Sequence, residues 1–191
     1  MNKQPLYLGA DPGKHGAVVL MSADRKEVIM IPTKVKDGCM DVVAMYEALL
    51  PYNDRIAGAA MEQVHAIFGS SAGATFDFGD ANGCLRTILT ILSDNGKKYP
   101  FIIVSPKVWQ KVAWYGIQKI ENPIKDSSGN QKYLKSGKPR MKVDTKATSM
   151  LAAHRLFPSV SFVPPRCRIE HDGCIDAALI AYYGRIKTAA T

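Results

Sequence analysis

The chain has 191 residues and a formal net charge of +8, and this length is enough for one domain with a full hydrophobic core. No apolar run reaches the ~18 residues that a membrane-spanning helix needs, and the opening MNKQPLYLGAD holds too short an apolar stretch for a secretory signal, so we expect a cytoplasmic protein with no membrane partner. None of the four cysteines lies in a CxxC pair, which argues against a zinc site and against a disulfide framework.

Three short apolar runs near the start of the chain predict strands at residues 6–10, 16–21 and 28–31. Asp11-Pro12-Gly13 follows the first run as a turn. The polar residues 22–26 are typical of a hairpin loop between the second and third runs. These short connections favour an antiparallel meander.

The middle of the chain alternates between helix and strand. Apolar residues at helical spacing predict helices at residues 41–50 and 76–92, and a third helix from Pro106 to about Tyr115. Apolar runs predict strands at residues 56–61 and 101–104. This alternation favours parallel strands with right-handed crossovers.

The segment from residue 117 to residue 143 has no apolar periodicity, and its seven Lys and Arg residues outnumber its two Asp and Glu residues. We interpret it as a flexible basic insertion. Asp144 or Thr145 then caps a helix that ends near Phe157. The last helix begins near Asp172 and carries an apolar stripe at helical spacing, formed by Ile175, Ala178, Leu179, Tyr182, Tyr183 and Ile186.

The predicted architecture is an α/β fold with a five-stranded mixed sheet flanked by helices, in which the first three strands are antiparallel. The sequence shows no internal repeat and no boundary between domains. Residues 1–191 are therefore expected to form a single domain that carries the insertion at about 117–143.

Four carboxylates occupy positions where such a fold would place chemistry. Asp11 ends the first predicted strand and Glu62 ends the fourth, while Asp172 and Asp176 lie one turn apart at the start of the last helix. If the first and fourth strands are neighbours, these acids meet at one edge of the sheet. Clustered carboxylates repel one another unless cations neutralise them, so the pattern favours Mg²⁺, which prefers oxygen ligands.

Each carboxylate also has a purely structural interpretation. Asp11 belongs to a common turn sequence, and Glu62 could be a simple surface residue. Asp172 and Asp176 could cap the last helix and stabilise its N-terminus. The combination of the four is more specific than any one of them.

Three motifs resemble those of RuvC-type Holliday junction resolvases. LGADPGKHGAVVL resembles the opening strand–turn–strand, with Asp11 as its acid, and AAMEQVHAIFG resembles the second motif, with Glu62. HDGCIDAALIAYYG resembles the closing helix, with Asp172 and Asp176. The motifs occur in the family's order across nearly the whole chain. GSSAGATFDFGDANGCL and VSPKVWQKV are similar to the versions in bacteriophage members, which indicates a phage or prophage source.

The resemblance implies an RNase H-like fold and a metal-dependent endonuclease. Asp11, Glu62, Asp172 and Asp176 would be both catalytic residues and metal ligands, with two Mg²⁺ ions in each site and Mn²⁺ as a substitute. The expected protein is a homodimer that binds four-way and related branched DNA. Paired nicks would leave 5′-phosphate and 3′-hydroxyl ends, in DNA recombination or repair inside a bacterial host cell.

The chain departs from the family's pattern at three places. Three residues separate Asp172 from Asp176, where bacterial members often have two, so either Asp172 or the neighbouring His171 could complete the site. His65 stands where bacterial members often have an aromatic residue near the junction centre, and histidine can also stack on a base. The insertion at 117–143 is longer than its bacterial counterpart, so no DNA contact is transferred through it.

Lysines are the candidates for contacts to DNA phosphates. Lys107 and Lys111 follow the fifth predicted strand, and Lys142 and Lys146 flank the end of the insertion. The alternative is a solvated basic face with no ligand.

Three other functions fit parts of the pattern. Acetate-kinase-like and actin-like ATPases also open with an acidic hairpin, but they need two such domains. A DNA-binding protein without catalysis would use the acids structurally. An RNase H-like nuclease acting on forks, flaps or RNA–DNA hybrids would carry the same acids and is the most serious alternative.

Overall fold

The computed structural model describes residues 4–64, 71–165 and 167–189. Its strands are β1 (Leu6–Asp11), β2 (Ala17–Ser22), β3 (Val28–Pro32), β4 (Val35–Lys36), β5 (Cys39–Met40), β6 (Ile56–Glu62), β7 (Phe101–Val104), β8 (Glu121–Pro123) and β9 (Met141–Val143). Its helices are α1 (Val42–Leu49), α2 (Ala72–Leu92), α3 (Pro106–Ala113), α4 (Thr145–Leu156) and α5 (Asp172–Thr188), with a 3₁₀ helix at Leu50–Arg55.

The main sheet has five strands in the order β3-β2-β1-β6-β7. Strand β1 pairs antiparallel with β2, which pairs antiparallel with β3. Strand β6 pairs parallel with β1 on one side and with β7 on the other. This confirms the predicted mixed sheet, its antiparallel start and the adjacency of the first and fourth predicted strands.

The period-2 alternation of the strands divides the apolar residues between two cores. Leu6, Leu8 and Ala10 face the core that contains α1 and α2. Ala17 and Val19 face the other core, which α3, α4 and α5 cover. Both faces of the sheet are therefore buried, and the functional groups have to emerge at its edges or ends.

Helix α5 packs directly on the centre of the sheet because Gly9 in β1 has no side chain. A Cβ at Gly9 would clash with the backbone of α5 at Ala177 and Ala181. The predicted apolar stripe is confirmed over most of its length, since Ile175 and Leu179 are buried, while Ile186 near the end of the helix is exposed. None of the helices in the described ranges is long and apolar enough to cross a membrane.

Aspartate side chains cap the first turns of α1 and α4. Asp41 accepts a hydrogen bond from the Ala44 amide, and Asp144 accepts one from the Ala147 amide, each at 3.0 Å. The structure thus selects Asp144 over Thr145 as the cap of α4. Helix α2 begins at Ala72, four residues before its predicted start, because the Ser71 hydroxyl caps it.

The segment predicted as a flexible basic insertion contains backbone pairing that the sequence did not predict. Strands β8 and β9 pair antiparallel within it. Backbone hydrogen bonds of 2.8–2.9 Å also connect Ile124, Lys132 and Arg140. Its flexibility and its contacts to DNA stay predictions.

Candidate active site

Asp11 and Glu62 emerge side by side at one edge of the sheet. They are the last residues of β1 and β6, which run parallel with Ala10 paired to Met61. Asp11 and Glu62 therefore each follow directly after the last residue pair between β1 and β6. The sequence predicted this arrangement on the condition that the two strands are neighbours, and the structure meets that condition.

Helix α5 brings the other two acids to the same edge. Asp172 is its first helical residue and Asp176 follows one turn later. Gly173 lies against the turn after β1, where an added Cβ would stand 2.5 Å from the His15 carbonyl oxygen and 2.8 Å from Gly16. Only a residue without a side chain allows the helix to start this close to Asp11.

The pKa values show that the four carboxyl groups share one electrostatic environment. Burial raises the pKa of Asp11 well above its ordinary value, and the charges of Asp176, Glu62 and Asp172 raise it further. Burial raises the pKa of Asp176 to about 7, although a hydrogen bond to Ser149 opposes the shift. Two buried carboxyl groups that resist ionisation form a site with a strong affinity for positive charge.

Trp109 holds Glu62 in place. Its indole Nε1 donates a hydrogen bond of 2.8 Å to Glu62 Oε1. Burial raises the pKa of Glu62, and this hydrogen bond counteracts the shift. The sequence alone does not indicate this contact, because α3 and β6 are distant in sequence.

Asp172 and His171 have different partners in the structure. Lys146 Nζ forms a salt bridge of 2.6 Å with Asp172 Oδ2. His171 caps α5, and its Nδ1 accepts a hydrogen bond of 3.2 Å from the Cys174 amide. One ring nitrogen of His171 is thus occupied, whereas Asp172 acts electrostatically on Asp11.

The chemistry of these donors fits a hard divalent cation. All four candidates offer carboxylate oxygens, and Asp176 Oδ1 is buried without a hydrogen-bond partner among the described residues. Within residues 4–64, 71–165 and 167–189, no three His, Cys, Asp or Glu side chains are already arranged to hold one ion. Binding therefore requires the carboxylates to draw together, and the Asp172–Lys146 pair has to open if Asp172 takes part.

The chain is similar to a solved structure over almost its full length. The structure of T. thermophilus RuvC in complex with a Holliday junction substrate aligns with a TM-score of 0.52 and 14% identity, covering 96% of this chain and 97% of that chain. The chain has a RuvC-like fold. No protein-family model matches it, and no curated protein matches it in sequence. At 14% identity, this similarity shows the fold alone. The chemistry depends on the individual residues of the site.

The lysines predicted to contact DNA lie at two places on this RuvC-like fold. Lys107 and Lys111 are exposed on α3. Lys142 in β9 and Lys146 in α4 line one cavity of about 420 Å³. His65, the fifth predicted DNA contact, lies outside the described residues.

Proposed function

We propose that the protein is a structure-selective DNA endonuclease that resolves four-way and related branched junctions by divalent-metal-dependent hydrolysis. The observation that carries this proposal is the meeting of Asp11, Glu62, Asp172 and Asp176 at one edge of a RuvC-like sheet. The structural neighbour is a RuvC bound to a Holliday junction, which supports the choice of substrate.

Asp11, Glu62 and Asp176 are the proposed oxygen ligands, with Asp172 as the fourth. Two Mg²⁺ ions, for which Mn²⁺ would substitute, would supply an activated water and charge stabilisation at the leaving 3′ oxygen. The chain's own part is to present the carboxylates. Trp109 orients Glu62, and α5 carries Asp172 and Asp176. The occupied Nδ1 of His171 supports Asp172 rather than His171 as the fourth ligand.

Lysines on two sides of the site would hold the DNA backbone. Lys146 is beside Asp172, and Lys107 and Lys111 stand on α3, the helix that supplies Trp109. A net charge of +8 favours association with a polyanion. The homodimer, the contribution of Lys142 and the origin in a bacteriophage stay predictions.

Cleavage of a synthetic four-way junction tests the proposal. We expect the wild-type protein to nick the junction in the presence of Mg²⁺, to do so faster than it nicks a fork or a linear duplex, and to be inactive with EDTA. Asp11→Asn should abolish nicking, because it replaces a negatively charged ligand with a neutral amide of the same size. Asp94→Asn is the matched control, since Asp94 is exposed at the end of α2 and already has a positive φ of 48° that asparagine tolerates.

Each result decides between the proposal and its alternatives. Wild-type nicking by Asp11→Asn would refute the site. A duplex cut as fast as the junction would refute the substrate, and preferred cutting of forks, flaps or RNA–DNA hybrids would support the alternative nuclease. Junction binding without any nicking in Mg²⁺ or Mn²⁺ would indicate a non-catalytic DNA-binding protein.

A further inference from the structure

A large cleft lies between α3, the end of α4 and the second half of α5. It has a volume of about 740 Å³ and is lined by four cationic residues, three tyrosines and two valines, with no carboxylate. The exposed lining is more apolar than polar, and its charged groups are all cationic, so the cleft fits a ligand that combines an aromatic or apolar face with negative charge.

The cleft is separate from the carboxylate site. Tyr182 lies six residues beyond Asp176, the nearer of the two candidate ligands on α5, which corresponds to about 9 Å along the helix axis. None of the four candidate ligands lines the cleft. The carboxylate chemistry proposed above therefore leaves the tyrosines of this cleft without a role, while Lys107 and Lys111 are shared with the proposed contacts to the DNA backbone.

Its most exposed aromatic group is Tyr115, which stands just after α3 with 81% of its surface accessible. Arg155 donates a hydrogen bond of 2.5 Å to the Tyr115 carbonyl oxygen and so ties this residue to the end of α4. Nearby Val108 is also exposed, at 47%. The Tyr115 ring is open to solvent and supplies a flat face for a planar ligand.

Positive charge surrounds this ring. Lys107 and Lys111 line the cleft from the same helix, and neither forms a salt bridge with any residue in the described part of the chain. Aromatic faces that stack on bases, beside cations that contact the backbone, are the combination that single-stranded nucleic acids recognise. Paired bases within a duplex are stacked on one another and offer no free face to a tyrosine.

We propose that this cleft binds an unpaired DNA strand, with a base stacked on Tyr115 and phosphates on Lys107 and Lys111. This goes beyond the proposed nuclease activity, since it requires neither metal nor cleavage. A surface of this kind would let the protein bind DNA whose strands are locally open.

Binding of a fluorescent oligodeoxythymidylate, measured by anisotropy in EDTA, tests the proposal. Tyr115→Ala should weaken binding roughly tenfold, as the loss of one stacked base predicts, whereas Tyr115→Phe should bind within about twofold of wild type because it keeps the ring face. Lys111→Glu should weaken binding more than Lys97→Glu, which makes the same charge change at an exposed turn after α2. Circular dichroism would show that each variant is folded.

An abasic oligomer of the same length separates stacking from charge. Wild type should bind it more weakly than oligodeoxythymidylate, and Tyr115→Ala should bind the two with similar affinity. Equal affinities of wild type and Tyr115→Ala for oligodeoxythymidylate would overturn the proposal. So would a Tyr115→Ala variant that dissociates into monomers in light scattering while its affinity for the strand is unchanged, because the cleft would then be a contact between two copies.

The result is independent of the nuclease assay. A protein that binds the strand through Tyr115 but never nicks a junction would support this inference and refute the proposed activity. A protein that nicks junctions, and whose Tyr115→Ala variant binds the strand as tightly as wild type, would support the proposed activity and refute this inference.

Discussion

Lys146 Nζ lies 2.6 Å from Asp172 Oδ2, so a lysine predicted to contact DNA is paired with a carboxylate predicted to bind metal. Both side chains are accessible, at 74% for Lys146 and 47% for Asp172. Exposed ion pairs contribute only about 0.2–1 kcal/mol. The pair is therefore weak enough for a divalent cation to displace it, and Lys146 would then be available to a DNA phosphate.

Removal of this lysine should tighten metal binding. We expect Lys146→Gln to bind Mg²⁺ more tightly than wild type by at most about fivefold, because Asp172 loses its competing partner. Calorimetric titration of the DNA-free protein measures this. Lys142→Gln makes the same charge change without a salt bridge to Asp172 and should leave the affinity nearly unchanged; weaker Mg²⁺ binding by Lys146→Gln would contradict the competition.

The stability of the metal-free protein should fall as the pH rises. The pKa of Asp176 is raised from 3.8 to about 7 and that of Asp11 is also raised, so the native state binds more protons than the unfolded state across this window. The free energy of unfolding contributed by these groups is therefore fully present below about pH 4 and is lost as the pH approaches about 7.

Asp176→Asn should remove part of this dependence. In EDTA at about pH 8, where the native carboxyl has to ionise in a buried position, the variant should melt at least about 2 °C above wild type, which is roughly 1 kcal/mol for a chain of this size. At about pH 4 the difference should shrink. Thermal melts at the two pH values provide the test, and an equal or lower Tm for the variant at the higher pH would disprove the burial of an unfavourable charge.

Loss of the indole donor should impair metal use more than folding. Trp109→Phe keeps an aromatic ring in the core but removes the hydrogen bond to Glu62, and hydrogen bonds to charged groups are worth about 1.5–3 kcal/mol. We expect the Mg²⁺ concentration for half-maximal nicking to rise about tenfold or more. Trp114→Phe is the control, since the buried Nε1 of Trp114 has no hydrogen-bond partner within the described part of the chain. An equal shift in both variants would assign the effect to packing.

The contact between α5 and β1 should not tolerate a methyl group. Gly9→Ala would place a Cβ against the backbone at Ala177 and Ala181, and overpacking of this kind costs about 1–3 kcal/mol or more. Gly79→Ala in α2 meets no atom within 4 Å and should instead stabilise the helix by up to about 1 kcal/mol. Urea denaturation compares the two; a neutral Gly9→Ala would mean that the helix can move away from the sheet.

Local patterns in the sequence were enough to predict most of the fold. Short apolar runs encode the strands, because both faces of the sheet are buried against a core. Asp41 and Asp144 mark helix starts because each accepts a hydrogen bond from an amide three residues later. The pairing of β8 with β9 was missed, since backbone hydrogen bonds in a polar segment leave no apolar period.

The sequence by itself determined which carboxylates stand at the ends of strands and at the start of the last helix, because those positions depend on nearby residues. Only the tertiary structure decided that Trp109 orients Glu62, that Lys146 pairs with Asp172, and that Tyr115 faces a basic cleft. Such contacts join elements far apart in the chain. Their geometry follows from how closely α3, α4 and α5 pack on the sheet, and no local periodicity carries that information.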